Sequence, residues 1–401
     1  MNVLCINCGS SSLKFDLMEA RSGSQAGPER IASGSIDRVG GEANLVLSVP
    51  GAPSQERLQP VKDHSEAMQE AVALLDGAGL LAGVEAIGHR VVHGGPELRA
   101  PAVIDGAVIA TIQAVSELAL LHNQPALDAV AGCRARFGDA LPMVATFDTA
   151  FYADLPEVAA GYALPKQLTQ ELGIRRFGFH GLAHRYMIEA FRTARPDATS
   201  ARLITLQLGN GCSATASIDG KPLDTSMGFT PLEGLVMGTR SGDVDPSLPL
   251  FLATKRGLSP DQVESLLNRQ SGLLGLSGLS HDMRDLLAAA AQGHAGAALA
   301  VDQFCYRIRK YVGAYMSVLG GADAVVFGGG IGENSPEIRE RVCRGLEWAS
   351  LQLNDEPNAT LSGEASRVSQ EGSRVEAWVV RVDEAAIIAR DAVACLTEIS
   401  G

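Results

Sequence analysis

Three glycine-rich turns, each following an apolar run, are the first stretches of this sequence whose residue types could do chemistry. The first is Asn7-Cys8-Gly9-Ser10-Ser11-Ser12-Leu13-Lys14. Glycine and three hydroxyls between two strand-like runs leave backbone N–H groups and side-chain donors facing a phosphate, and Lys14 adds a point charge. A plain hairpin turn uses the same residues, so this stretch alone reads either way. It is not a P-loop, which requires a helix after its lysine. The second turn is Gln207-Leu208-Gly209-Asn210-Gly211-Cys212-Ser213. The third, Gly328-Gly329-Gly330-Ile331-Gly332-Glu333-Asn334, is a loose dinucleotide fingerprint. One such loop is a weak signal; three in one chain point to a nucleotide cleft.

Cationic and titratable groups sit beside small residues. Arg90 ends an apolar strand in Gly88-His89-Arg90-Val91-Val92-His93-Gly94-Gly95, and Arg240 lies in Gly238-Thr239-Arg240-Ser241-Gly242-Asp243. A strand-end arginine is commonly a surface ion pair. An arginine flanked by glycines, however, lets a ligand approach its planar fork, which suits carboxylate and phosphate oxygens. His180 is boxed by Phe177-Gly178-Phe179 and Gly181, and Asp148 ends a strand in Phe147-Asp148-Thr149-Ala150-Phe151, where a ligand-facing carboxylate and a structural cap are both open. The spacings His89/His93 and His180/His184 offer two imidazoles each. Zinc would need a third ligand and an unbroken helix, which Gly181 interrupts. There is no GxSxG, and no Cys/His pair stands out.

The elements that must hold these residues follow from periodicity. Strands are expected at Val3–Asn7, Lys14–Met18 and near Ile31–Ile36, with surface loops at 22–28 and 50–55. A helix begins at His64, a buried strand spans Ala86–Val92, a helix lies near 107–120, and a strand spans Met143–Phe147. The plan then repeats, with strands at Arg202–Gln207 and Ala214–Asp219 around a turn at 208–213. A strand at Ala324–Phe327 precedes a helix from about Ser335, and a strand at Ala377–Arg381 leads to a C-terminal helix from about Asp383. The expectation is an α/β protein of two similar lobes around a cleft. The N-terminal lobe would comprise residues 1–150 joined by helix 384–401, with 151–383 forming the second.

Composition narrows the partners. The 401 residues carry 33 Lys and Arg against 46 Asp and Glu, a formal charge of −13. That field repels nucleic acid and anionic membrane, so a phosphorylated ligand must be held by local cations. Seven scattered cysteines read as reduced thiols. Cys5 and Cys8 form a CxxC, but in a strand that spacing puts them on opposite faces. No signal peptide is expected, and no run approaches the ~20 apolar residues of a membrane span. A cytoplasmic protein follows.

Taken together, these stretches resemble the acetate kinases, within the acetate and sugar kinase, heat-shock ATPase and actin superfamily. The resemblance also rests on Leu121-His122-Asn123, the Asp224–Pro246 segment with Met237-Gly238-Thr239-Arg240-Ser241-Gly242, and Asp282-Met283-Arg284. It implies two ribonuclease H-like (actin-like ATPase) lobes, usually in a homodimer, passing a phosphoryl group between ATP and acetate. It implies Mg²⁺, with Mn²⁺ an alternative, at Asn7 and Glu384. The nucleotide site would comprise Lys14, Gln207, Leu208, Gly209, Asn210, Gly211, Asp282, Met283, Arg284, Gly330, Ile331, Gly332, Glu333 and Asn334. Arg90 would bind the carboxylate, and Val92, Leu121, Phe179 and Pro231 would surround the methyl group. Asp148 matches the residue usually termed proton donor or acceptor, and His180 and Arg240 match transition-state stabilisers. Gln207 departs from the family's usual His; it still donates a hydrogen bond but cannot become cationic. A propionate or butyrate kinase is the nearer alternative, and a non-metabolic actin-like ATPase module the remoter one. A carboxylate nucleophile is ionised near neutral pH, so Asp148 is expected to orient an arginine or a metal-bound water.

Overall fold

The computed structural model describes residues 1–9, 11–21, 23 and 27–400, with backbone alone at 120–122 and 400. Ser10 and the Leu121 side chain lie outside the described residues. The chain divides into one unit of Met1–Ala153 with Asp383–Gly401 and a second of Asp154–Val382.

In the first unit, β1 (Asn2–Cys8), β2 (Ser12–Glu19), β3 (Glu29–Asp37), β4 (Gly41–Ser48), β5 (Gln55–Val61), β6 (Ala86–Val91), β7 (Ala102–Val103) and β8 (Met143–Phe147) form one sheet. Its order is β5-β4-β3-β2-β1-β6-β8-β7. β1 runs parallel to β6, and β6 to β8; the other neighbours are antiparallel. Both faces of β1 are covered, which is why its sequence is almost continuously apolar. Leu4, Ile6 and Cys8 join the core beneath the helices His64–Gly77 and Leu120–Phe137. Cys5 faces the other way, its Sγ 3.4 Å from the Ala385 carbonyl of the Glu384–Ser400 helix. The two cysteines therefore lie on opposite faces, as their spacing requires, and all seven thiols are free.

The second unit holds β9 (Arg202–Leu208), β10 (Cys212–Ile218), β11 (Lys221–Thr225), β12 (Ala324–Gly328), β13 (Ala365–Arg367) and β14 (Glu376–Val380), ordered β11-β10-β9-β12-β14-β13. The run β3-β2-β1-β6-β8 and the run β11-β10-β9-β12-β14 share one plan. In each, an antiparallel three-strand meander continues through its first strand into two parallel crossover strands. That is the ribonuclease H-like lobe, present twice.

Two expectations need correction. The helix near 107–120 ends at Ala114, and a 3₁₀ turn at Ser116–Ala119 precedes a second helix, Leu120–Phe137. Pro125 interrupts the apolar period of that helix and removes a backbone donor, which hid the element from sequence reading. The turn read at 208–213 shrinks to 209–211, because Leu208 pairs with Cys212 and Gln207 with Ser213.

His89 shares the core face of β6 with Ile87 and Val91. It is 1% exposed, and neither ring nitrogen has a hydrogen-bond partner among the described residues. Burial pulls its pKa down to about 3, and burial likewise lowers His184 to about 3 and His93 to about 4. The unfolded chain takes up protons near pH 6.5 while these folded groups do not. Stability is therefore full above pH 6.5 and falls as pH drops towards the folded values, by about 1.4 kcal/mol per unit per group. Between pH 7 and 5.5 the three histidines should cost about 4 kcal/mol. Urea unfolding across this range should show that loss, and His89→Leu should reduce its slope by about a third. Superimposable wild-type and His89→Leu profiles would rule this out.

Candidate active site

In the first unit the C-terminal ends of β1, β6 and β8 present a connected polar cluster. The parallel register places Asn7 beside Arg90 and Arg90 beside Thr146, and the hairpin register places Lys14 across from Asn7. Asp148 begins the 3₁₀ turn that follows β8. Arg90 donates from Nε to Asp148 Oδ1 at 3.2 Å and from Nη2 to Oδ2 at 2.6 Å. Its Nη1 donates to Asn7 Oδ1 at 3.0 Å and to Glu384 Oε2 at 3.4 Å. Asn7 Nδ2 donates to the same Glu384 oxygen at 2.7 Å.

Asp148 is fully buried and the Arg90 side chain is 14% exposed. Burial works hardest against the arginine's charge, but the carboxylates of Asp148 and Glu384 outweigh it and hold the guanidinium protonated more firmly than usual. Arg90 is thus not the surface ion pair that strand-end arginines commonly form. Glu384 is itself pinned. Asp383 Oδ1 accepts from Ala386 N–H at 3.2 Å, and Asp383 pairs at 2.6 Å with Arg30, which also pairs with Asp16.

Asn7 and Glu384 offer one neutral and one anionic oxygen donor. Among the described residues no group of three or more His, Cys, Asp or Glu gathers to cage a metal. Two hard oxygen donors with the remaining positions left to water and phosphate match Mg²⁺, which dehydrates reluctantly. The residues present therefore fit that ion.

In the second unit His180 caps the Gly181–Ala194 helix in the left-handed conformation, φ 57°, after Gly178 at φ 75°. A non-glycine residue held there is strained locally and persists because its surroundings over-determine it. A Cβ added at Gly211 would lie 3.3 Å from His180 Nε2 and 3.8 Å from Arg240 Nη1. Gly211 therefore keeps open a space shared by the imidazole and the guanidinium. Arg240 Nη1 donates to the Pro231 carbonyl at 3.0 Å. Burial lowers the Arg240 pKa.

The loop carrying Arg240 is rigid. Gly238 N–H donates to the Asn210 carbonyl, Leu273 N–H to the Met237 carbonyl, and Gly234 N–H to Asp243 Oδ1. Gly272, at φ 61°, lets its backbone lie against this loop; a Cβ there would sit 2.6 Å from the Arg240 carbonyl oxygen.

A pocket of about 710 Å³ lies beside this cluster within the same unit. Gly209, Asn210, Asp282, Met283, Arg284, Gly330, Ile331 and Asn334 line it, with His281, Leu287, Ser335, Pro336 and Glu337. Its size suits a nucleoside, and the Gly329–Asn334 helix begins at its edge. The remaining nucleotide candidates do not line it. Leu208 and Gly332 are buried beneath it, Gly211 sits with His180, and Glu333 Oε1 turns back to accept from Gly329 and Val382 N–H at 2.9 and 3.1 Å. Gln207 has a buried Oε1 without a partner among the described residues, while a Cβ at Gly329 would lie 2.9 Å from its Nε2. Of the methyl-pocket candidates, Val92 is buried in the first unit, while Phe179 is buried and Pro231 half-buried in the second.

Sequence reading missed three supports. Arg339 is 1% exposed and donates to Gly332 and Glu333 carbonyls and to Asn358, holding the end of the Gly329–Asn334 helix; burial lowers its pKa to about 10. His64 Nε2 meets the Gly9 carbonyl at 2.8 Å, anchoring the first turn. Ser213, with His184 and Thr205, lies behind His180. The alternation Ser213-Ala214-Thr215-Ala216-Ser217 was the available signal, since buried hydroxyls on one strand face must find partners.

Comparison with known proteins finds relatives over nearly the whole chain. The model of the Acetokinase family matches residues 2–390. An acetate kinase of Solibacter usitatus (strain Ellin6076) is 47% identical over 407 residues, covering 99% of this chain and 98% of that protein. The crystal structure of Porphyromonas gingivalis acetate kinase superposes with a TM-score of 0.87 at 37% identity, over 98% of this chain and 99% of that one. That of a propionate kinase from Francisella tularensis subsp. tularensis SCHU S4 gives 0.90 at 35% identity, with the same coverage.

Proposed function

The chain belongs to the acetokinase family, and we propose that it transfers a phosphoryl group reversibly between ATP and acetate, giving ADP and acetyl phosphate. The observation that carries this reading is the Arg90 fork. A buried carboxylate fixes a guanidinium at strand ends, where its charge and its remaining Nη2–H suit a small carboxylate. The 35% identical propionate kinase structure supports a second reading in which propionate is the preferred acid. One methylene changes binding by only about 1–3 kcal/mol, so the two readings share one mechanism.

In that mechanism Arg90 holds the acid with one carboxylate oxygen towards the γ-phosphorus. Asp148 sets the plane of the Arg90 guanidinium, and takes no proton because the acid is already ionised. The new O–P bond forms as the bond to the β–γ bridging oxygen breaks, and ADP departs with that electron pair. His180 and Arg240 donate to the equatorial oxygens, where charge accumulates. The 710 Å³ pocket takes the nucleoside end of ATP. Asn7 and Glu384 would hold Mg²⁺, which neutralises phosphate charge. We assign the protein to the cytoplasm as a homodimer; seven free thiols, six of them buried, support the compartment. No helix among the described residues is long and apolar enough to cross a membrane.

The reverse reaction gives a sensitive test. With acetyl phosphate, ADP and Mg²⁺, chromatography of quenched samples should record ATP. EDTA in excess of the metal should abolish the signal, and added Mg²⁺ should restore it. Undiminished ATP formation in EDTA would remove the assigned metal role, and absence of ATP under all conditions would remove the reaction.

A further inference from the structure

We propose that Thr205, His184 and Ser213 form a hydrogen-bond relay that fixes which nitrogen of His180 carries the proton, so that Nε2–H faces the reacting phosphoryl group. The inference rests on the reading of His180 as a donor to that group and adds three positioning residues to it.

The relay is continuous and buried. His180 Nδ1 lies 2.9 Å from Ser213 Oγ, and His184 Nε2 lies 2.7 Å from the same oxygen. His184 Nδ1 lies 2.7 Å from Thr205 Oγ1. Ser213, His184 and Thr205 are all fully buried. Their placement follows from the fold. In the antiparallel register Ser213 pairs with Gln207 and Thr215 with Thr205, so Ser213 and Thr205 share the sheet face against which the Gly181–Ala194 helix packs. His184 is one helical turn beyond His180, on the buried side of that helix.

The polarity of the relay starts at its far end. Among the described groups, the Thr205 hydroxyl lies 2.7 Å from His184 Nδ1 and 3.5 Å from the Thr215 carbonyl. The shorter contact is a full hydrogen bond, while the longer is at the limit of one. In the proposed relay Thr205 donates through the shorter contact, to His184 Nδ1. Burial keeps His184 neutral, with its pKa down to about 3, so its single proton sits on Nε2 and goes to Ser213. Ser213 Oγ accepts that proton's hydrogen bond and turns its own O–H to His180 Nδ1. Neutral His180 must then carry its proton on Nε2, the nitrogen towards the space kept open by Gly211. When His180 is cationic, rotation of the two hydroxyls and transfer of the His184 proton to its other nitrogen reverse the relay, and Nε2–H persists. An anion thus meets a donor at Nε2 in both charge states.

The consequence is a nearly flat pH dependence through the imidazole range. Wild-type kcat should change less than about 2-fold between pH 6 and 8.5. Ser213→Ala leaves Nδ1 without its donor, so activity then depends on protonated His180. Its kcat should fall about 10- to 100-fold by pH 8.5, recover towards pH 6, and leave KM for the acid nearly unchanged. Thr205→Val, an isosteric change two hydrogen bonds away, should bend the profile in the same direction by less. Ser213→Thr should restore it. In protein labelled with ¹⁵N-histidine, long-range ¹H–¹⁵N spectra should show neutral His180 as the Nε2–H tautomer in wild type and a shift towards Nδ1–H in both variants that lack a hydroxyl. An Nδ1–H tautomer in wild type, or variant profiles parallel to wild type, would overturn the relay. Full activity of His180→Ala would instead remove the catalytic reading of His180, an outcome the tautomer measurement tells apart.

Discussion

Arg90→Ala is expected to lower kcat/KM for the carboxylate substrate by about 10³-fold or more, equivalent to about 4 kcal/mol of transition-state stabilisation. The loss has two sources. The substrate loses a guanidinium whose charge is held in place by Asp148 and Glu384. Asp148, with no exposed surface, is also left as a buried carboxylate without its counter-charge, which should cost about 3–5 kcal/mol of stability. Arg90→Lys separates the two effects: it keeps the charge but not the fork, so stability should largely recover while activity stays at least about 10²-fold down. Steady-state rates with thermal unfolding of both variants provide the check. An alanine variant within 10-fold of wild type would remove Arg90 from the reaction.

Asp148→Asn should lower kcat/KM by about 10²-fold, uniformly between pH 6 and 9. Asparagine has nearly the same shape, but it offers one oxygen and an NH₂ group to a guanidinium that can only donate. The Nε/Nη2 fork is therefore broken, and Arg90 is drawn towards Glu384, 3.4 Å from Nη1. The nucleophile has no proton to lose in this range, since carboxylic acids of this kind ionise near pH 4–5. A general-base role makes a different prediction: the deficit would shrink as hydroxide replaces the missing base. A variant that regains full activity at pH 9 would show that Asp148 moves a proton after all.

How much of this site could be read from the chain depends on the kind of information involved. β8 is legible to the residue because Met143–Phe147 is a short, wholly buried apolar run beside a turn. The roles of Asn7, Arg90, Asp148 and Glu384 entered through family resemblance. Their mutual contacts could not, because Asn7 and Glu384 are 377 residues apart and meet only through the β1–β6–β8 register and the capped C-terminal helix. Sequence reading expected Asp148 to orient an arginine or a metal-bound water without saying which arginine; its hydrogen bonds go to Arg90. The relay behind His180 was hidden for another reason. His180 and His184 were weighed as metal ligands, and what gives the pair meaning is a hydroxyl on a strand nearly thirty residues later. Local patterns fix elements; partners across a sheet are fixed by register, which composition does not encode.

The most direct test of the central claim is the initial rate of acyl phosphate formation from ATP and Mg²⁺ with acetate, propionate or butyrate, trapped with hydroxylamine. Trapped product with the highest kcat/KM for acetate is expected. No trapped product with any of the three acids, from protein that binds ATP, would contradict it.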